Sequence, residues 1–226
     1  MNLFSYESKP MQILMQLGDL IILNLLYLLC CIPVFTIGAA QAGLYSGIKT
    51  LLDPDDDTYC TKAFFKGFRS GFGQVTMAWC LLFALELLLG VVAYLCVFYQ
   101  KTMQADLPLW AALIALAIVA LFQSLVTAFH SRFSCTALQL IRNAWFLATA
   151  YPIRSLAVAA LTWFPIIFFA LSNITVFMSL TPVWLTIYFS GAFCFCHTFL
   201  KKPFQILIDH FNEQKEASAE EASQEA

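Results

Sequence analysis

The chain has 226 residues, of which 61% are hydrophobic and only 12% charged, with a formal net charge of −2. A soluble domain carries about 25% charged residues, so composition excludes an ordinary water-soluble globular protein and points to the bilayer. The net charge says little by itself, because the charges are sorted by loop, and no nucleic-acid partner is expected.

Five apolar runs, 17–38, 75–99, 107–129, 155–177 and 183–200, are each near the roughly 20 residues a hydrocarbon core demands. They predict an all-α integral membrane bundle of about five transmembrane helices, with short interfacial helices on the cytoplasmic side. Residues 1–211 read as one transmembrane domain and 212–226, rich in Glu, Ala, Ser and Gln, as a disordered cytoplasmic tail. In the first run, Asp19 and Asn24 are polar, and Pro33 removes a backbone donor and predicts a kink. The Ala40-Gln41-Ala42 triplet after this run resembles a signal-peptidase site, but the run is too long for a usual h-region. Stretch 36–52 is small-residue-rich; it either extends span 1 or folds back as a half-helix, being too polar and too short for a sixth span. The acidic turn Asp53-Pro54-Asp55-Asp56-Asp57 lacks the Gly and Glu of an EF-hand loop and reads as solvated.

Segment 62–72 places Lys62, Lys66 and Arg69 at helical spacing among Phe64, Phe65, Phe68 and Phe72. That pattern fits a short helix at the headgroup level, with Lys62, Phe65, Lys66, Phe68 and Arg69 as a lipid or partner contact. Glu86 stands near the middle of the second span, where an ionisable group costs about 2.5–3.5 kcal/mol on insertion scales. With Asp19, Asn24 and Gln123 it forms the candidate polar intramembrane set. Glu86 is either a proton- or substrate-handling carboxylate in a polar path or a neutral carboxyl hydrogen-bonded across a helix interface. Trp79, Gly90 and Ala93 share its helical face, which predicts close packing there. Asn173 lies near the outer end of the fourth span. In 130–154, Leu138, Ile141, Trp145 and Ala148 recur at spacings of three and four, predicting a cytoplasmic connector helix.

Orientation follows from Lys and Arg. Lys49, Lys62, Lys66, Arg69, Arg132, Arg142, Arg154, Lys201, Lys202 and Lys215 fall on one face, and only Lys9 and Lys101 on the other. The positive-inside bias predicts an outside N-terminus and a cytoplasmic C-terminus in the plasma membrane. Six of the eight Cys lie within the runs and only Cys60 and Cys135 outside, which is neither a secreted disulfide framework nor a zinc pattern. His130 and His197 sit near the cytoplasmic boundary, and no H-E-x-x-H motif or serine-protease pattern appears, so no catalytic residue, metal or cofactor is expected.

The stretch Leu28-Leu29-Cys30-Cys31-Ile32-Pro33-Val34-Phe35-Thr36-Ile37-Gly38-Ala39, followed by Phe64-Phe65-Lys66-Gly67-Phe68-Arg69 and Gly73-Gln74, resembles two blocks of the YesL-like bacterial membrane proteins. The family-like motif is Pro33, Thr36 and Gly38, and the resemblance extends over about 12–99. It implies a multi-pass plasma-membrane protein, of a kind often encoded beside carbohydrate ABC transporters and polysaccharide-degrading enzymes, with no established catalytic residue. The expectation is therefore a non-enzymatic protein accessory to a carbohydrate ABC uptake system, with the bilayer and an ABC permease as partners. The alternative is a small transporter or channel, working as a homo-oligomer, with Glu86 in its path.

Overall fold

The computed structural model describes residues 9–53, 58–103, 106–130, 136–202 and 204–205, and every regular element among them is helical. Residues 54–57 of the acidic turn, Arg132, Cys135, Lys215 and the tail 212–226 lie outside the described residues. Five helices are long and apolar enough to cross a bilayer, within Ile13–Cys30, Gln74–Tyr99, Leu107–His130, Pro152–Leu171 and Thr181–Lys202. The molecule is thus an all-α bundle that reads as a multi-pass membrane protein.

In chain order the helices are α1 (Lys9–Cys30), α2 (Ile37–Leu52), α3 (Cys60–Gly71), α4 (Gln74–Met103), α5 (Asp106–His130), α6 (Ala137–Ala150), α7 (Pro152–Leu171), the short α8 (Ile174–Ser179) and α9 (Thr181–Lys202). Helix α1 stops at Cys30 instead of running on to Gly38. The residue before a proline is pushed out of the helical region, and Pro33 itself is extended (φ −78°, ψ 119°), opening a 3₁₀ turn at Val34–Thr36. Helix α7 likewise ends at Leu171, six residues before the end of the apolar run. Its last turn closes through Ser172 N–H donating to the Phe168 carbonyl (2.8 Å), after which Asn173 is extended and starts α8. Helix α6 begins with a capping box, Thr136 N–H donating to Gln139 Oε1 at 3.1 Å, which satisfies a donor the first turn leaves open.

Helix α2 settles the ambiguity of 36–52: it is a separate helix that folds back along α1 and packs on α1, α3, α4 and α5. Most of it is buried, from Gly38 to Ile48. Small side chains make this central position attainable. A Cβ on Gly43 would lie 2.9 Å from the Phe64 carbonyl oxygen and 3.2 Å from Phe68 Cβ on α3. Gly43→Ala is therefore expected to lower stability by about 1–3 kcal/mol through overpacking. Thermal unfolding in detergent checks this, and an unchanged midpoint would show that α2 and α3 separate freely.

Helix α3 turns Cys60, Ala63, Phe64, Gly67 and Gly71 inward, the i, i+3, i+4, i+7 face of an amphipathic helix. Phe64 is fully buried against α2 and stacks on Phe68 (6.4 Å between ring centroids). Its apolar face is thus covered largely by protein, while Lys62, Lys66 and Arg69 are exposed.

Candidate functional site: a polar layer inside the bundle

Helices α4 and α5 pack along their length, and near the middle of that seam they bury a carboxyl, an amide and an indole. Glu86 is 8% exposed, with Gln123 and Trp79 buried beside it. With the Gln123 amide oriented to satisfy both neighbours, its nitrogen donates to the two Glu86 oxygens at 2.5 and 2.6 Å. Its oxygen accepts from the Trp79 indole N–H at 2.9 Å. A polar group in an apolar interior is costly unless bonded, and here each member finds its partner within the layer. Glu86 and Gln123, both expected as polar intramembrane residues, are therefore brought together. Gly90 on the same face as Glu86 has no neighbour within 4 Å of an added Cβ, so the expected close approach there is absent.

Asn24 is elsewhere, on the α1–α9 seam, and fully buried. Helix α9 contains a π turn, Trp184–Tyr188, a widened turn that disrupts the regular hydrogen-bond ladder. Asn24 Nδ2 donates to the carbonyls of Trp184 (3.2 Å) and Leu185 (2.7 Å), and Asn24 Oδ1 accepts the Ser190 N–H (3.0 Å). One amide thus bridges the irregular turn from the neighbouring helix. A second repair follows the same logic. Pro165 inside α7 has no N–H to give the Leu161 carbonyl four residues earlier, and the Tyr188 hydroxyl donates to that carbonyl at 2.8 Å.

The Pro33–Thr36–Gly38 motif forms the α1–α2 junction. Thr36 is buried, and its hydroxyl lies 2.6 Å from both the Cys30 and Pro33 carbonyls, capping the end of α1. Gly38 lets α2 start against α4, since a Cβ there would lie 2.7 Å from Trp79 Cβ. The motif that carries the family resemblance therefore positions the indole of the polar layer.

Residues 20–95 match the family described as "Protein of unknown function, DUF624". The YesL-like resemblance is consistent with this match. No curated protein and no solved structure matches the chain. The DUF624 region holds α1 from Leu20, the α1–α2 junction, α2, α3 and most of α4, hence Asn24, Trp79 and Glu86. It stops before Gln123, so the polar layer joins the DUF624 region to the second half of the chain.

The remaining expected residues are dispersed. Asp19, one residue before the DUF624 match begins, is half-buried and faces the Cys60 thiol at the start of α3 rather than Glu86 or Gln123. Burial, with the Asp19 carboxylate adding to it, pushes the Cys60 thiol up to about 11. Cys60 is thus a neutral, poorly nucleophilic thiol at pH 7 and becomes thiolate only as pH rises through that value. Its alkylation by iodoacetamide is expected to be slow at pH 8 and to accelerate roughly tenfold per pH unit toward pH 10; Asp19→Asn should shift that profile to lower pH. A rate already at its plateau at pH 8 would contradict the assignment. Among the described residues no three His, Cys, Asp or Glu side chains gather as a metal would require. Phe65 is exposed beside Lys62 and Lys66, and Phe68 is half-buried between Phe64 and Phe72 (5.8 Å to the latter). Polarity within apolar runs pointed to Asn24, Glu86 and Gln123. Their partners Trp79, Ser190 and the π-turn carbonyls carry no such signal.

Proposed function

We propose that the chain is a non-enzymatic integral membrane protein that serves as an accessory subunit of a carbohydrate ABC uptake system. The observation behind the non-transporting part is that Asn24, Glu86 and Gln123, the candidate polar residues buried within the spans, are engaged with other side chains or with backbone. Glu86, Gln123 and Trp79 close one set and Asn24 with the π turn another. The uptake-system part rests on the resemblance to YesL-like proteins. In the orientation that the basic residues favour, N-terminus out and C-terminus in, α3 and α6 face the cytoplasm and form the contact surface. There α6 exposes Leu138, Arg142 and Phe146, and its Trp145 stacks on Phe122 of α5 (5.1 Å).

Affinity purification of the tagged full chain in mild detergent, with mass spectrometry of what accompanies it, tests the reading. Stoichiometric recovery of an ABC permease, reduced by Lys66→Glu with Phe146→Ala, is the expected result. A homogeneous partner-free species would overturn the stable-subunit role. Attention would then pass to the transporter reading, for which proton-coupled flux in liposomes lost in Glu86→Gln is the diagnostic.

A further inference from the structure

Beside the polar layer lies a cavity of about 270 Å³, enclosed by α1, α2, α4, α5, α7 and α9. Its walls are mostly apolar, with the rings of Tyr27, Phe83, Trp163 and Phe193 among them, and none of its lining residues is charged. Val34 and Ile166 line it too and are each more than half exposed on the molecule's surface. Ile166 belongs to an apolar span, so the mouth opens sideways toward lipid.

The polar atoms of the wall are nearly all committed. Ser124 Oγ donates to the Ala120 carbonyl (2.9 Å), and Thr162 Oγ1 donates to that of Val158 (2.8 Å). Gln123 is held by Glu86 and Trp79. The exception is Gln41 on α2: the residue is 7% exposed and lines the cavity, its amide hydrogen-bonds with the Tyr27 hydroxyl, and its Oε1 has no hydrogen-bond partner. A buried acceptor without a donor calls for an explanation, and the cavity in front of it supplies one.

We propose that this cavity binds a neutral amphiphile taken from the bilayer, an alkyl chain with one hydroxyl, the hydroxyl donating to Gln41 Oε1. Chemistry narrows the occupant. A charged headgroup would enter a wall without counter-charge. A sugar would bring several hydroxyls to a single open acceptor and leave the rest unpaired. A water cluster needs two to four polar partners per molecule, which a mostly apolar wall does not provide. The volume holds roughly nine water-sized groups at about 30 Å³ each, the heavy-atom count of an eight-carbon alcohol. The site is independent of any cytoplasmic partner.

The test uses the full chain in phospholipid nanodiscs and a photoreactive octanol carrying a diazirine on its chain, with labelled peptides mapped by mass spectrometry. Labelling is expected to concentrate on the segments around Val34–Thr36 and Ile166. Unlabelled 1-octanol should compete about tenfold better than its isomer heptyl methyl ether, which has the same atoms but no donor. Gln41→Met, similar in volume and without the acceptor, should erase that preference while leaving competition by the ether unchanged. The alcohol–ether comparison on the unmodified protein stands even if Gln41→Met fails to fold. Equal competition by the two isomers, or labelling spread evenly over lipid-facing residues such as Leu88, would overturn the proposal.

Discussion

Asn24→Leu is expected to lower the stability of the bundle by about 2–4 kcal/mol, the largest effect of any single substitution within the spans. Leu nearly preserves the volume but removes two donors and one acceptor at once. The carbonyls of Trp184 and Leu185 and the Ser190 N–H lose their Asn24 bonds where no water reaches. Measured side-chain bonds between membrane helices average about 0.6 kcal/mol, and the estimate is higher here because three backbone bonds are lost at a π turn. Asn24→Asp separates the contributions: it keeps an acceptor for Ser190 but presents oxygen to two carbonyls, so it should be at least as damaging as Leu. At roughly 2–4 °C per kcal/mol for a chain of this size, the midpoint in detergent should fall by about 5–15 °C. A change within the scatter of repeat measurements would mean that α9 closes its π turn without help from α1.

The second large effect is expected at the α4–α5 seam, and it is a matter of coupling rather than of one residue. Glu86→Leu leaves the Gln123 amide nitrogen without an acceptor, and Gln123→Leu leaves both the carboxyl and the Trp79 N–H unpaired. Each single change should cost about 1–3 kcal/mol, because the surviving partner is stranded. The double variant, with apolar groups on both sides, should cost less than the sum of the singles, a coupling of about 1 kcal/mol or more. Glu86→Gln should be mild, since an amide oxygen still accepts from Gln123. Strict additivity would show that the two side chains do not depend on each other. Severe loss with Glu86→Gln would show that the carboxyl does something an amide cannot, which would favour the transporter reading.

The number of long helices and their approximate places are legible in the residue order, because runs near 20 apolar residues answer to bilayer thickness. Asn24, Glu86 and Gln123 are legible too, since a polar side chain inside such a run must find a partner. Which partner is not legible. Lipid is as apolar as another helix, so hydropathy along α4, whose Leu85, Leu87 and Leu88 are all exposed, carries no mark of the face that meets α5. For the same reason the fate of 36–52 stayed open. Its glycines and alanines announce close approach but not to what, and only the packed structure sets Gly43 on Phe64 and Gly38 on Trp79. Pro165 announces a freed carbonyl, yet the Tyr188 hydroxyl that reaches it sits 27 residues downstream from Leu161. Gln41 is the clearest case. Within a stretch too polar for a span its amide is unremarkable, and it becomes a candidate ligand-binding group once tertiary packing buries it in front of an apolar cavity with its oxygen unpaired.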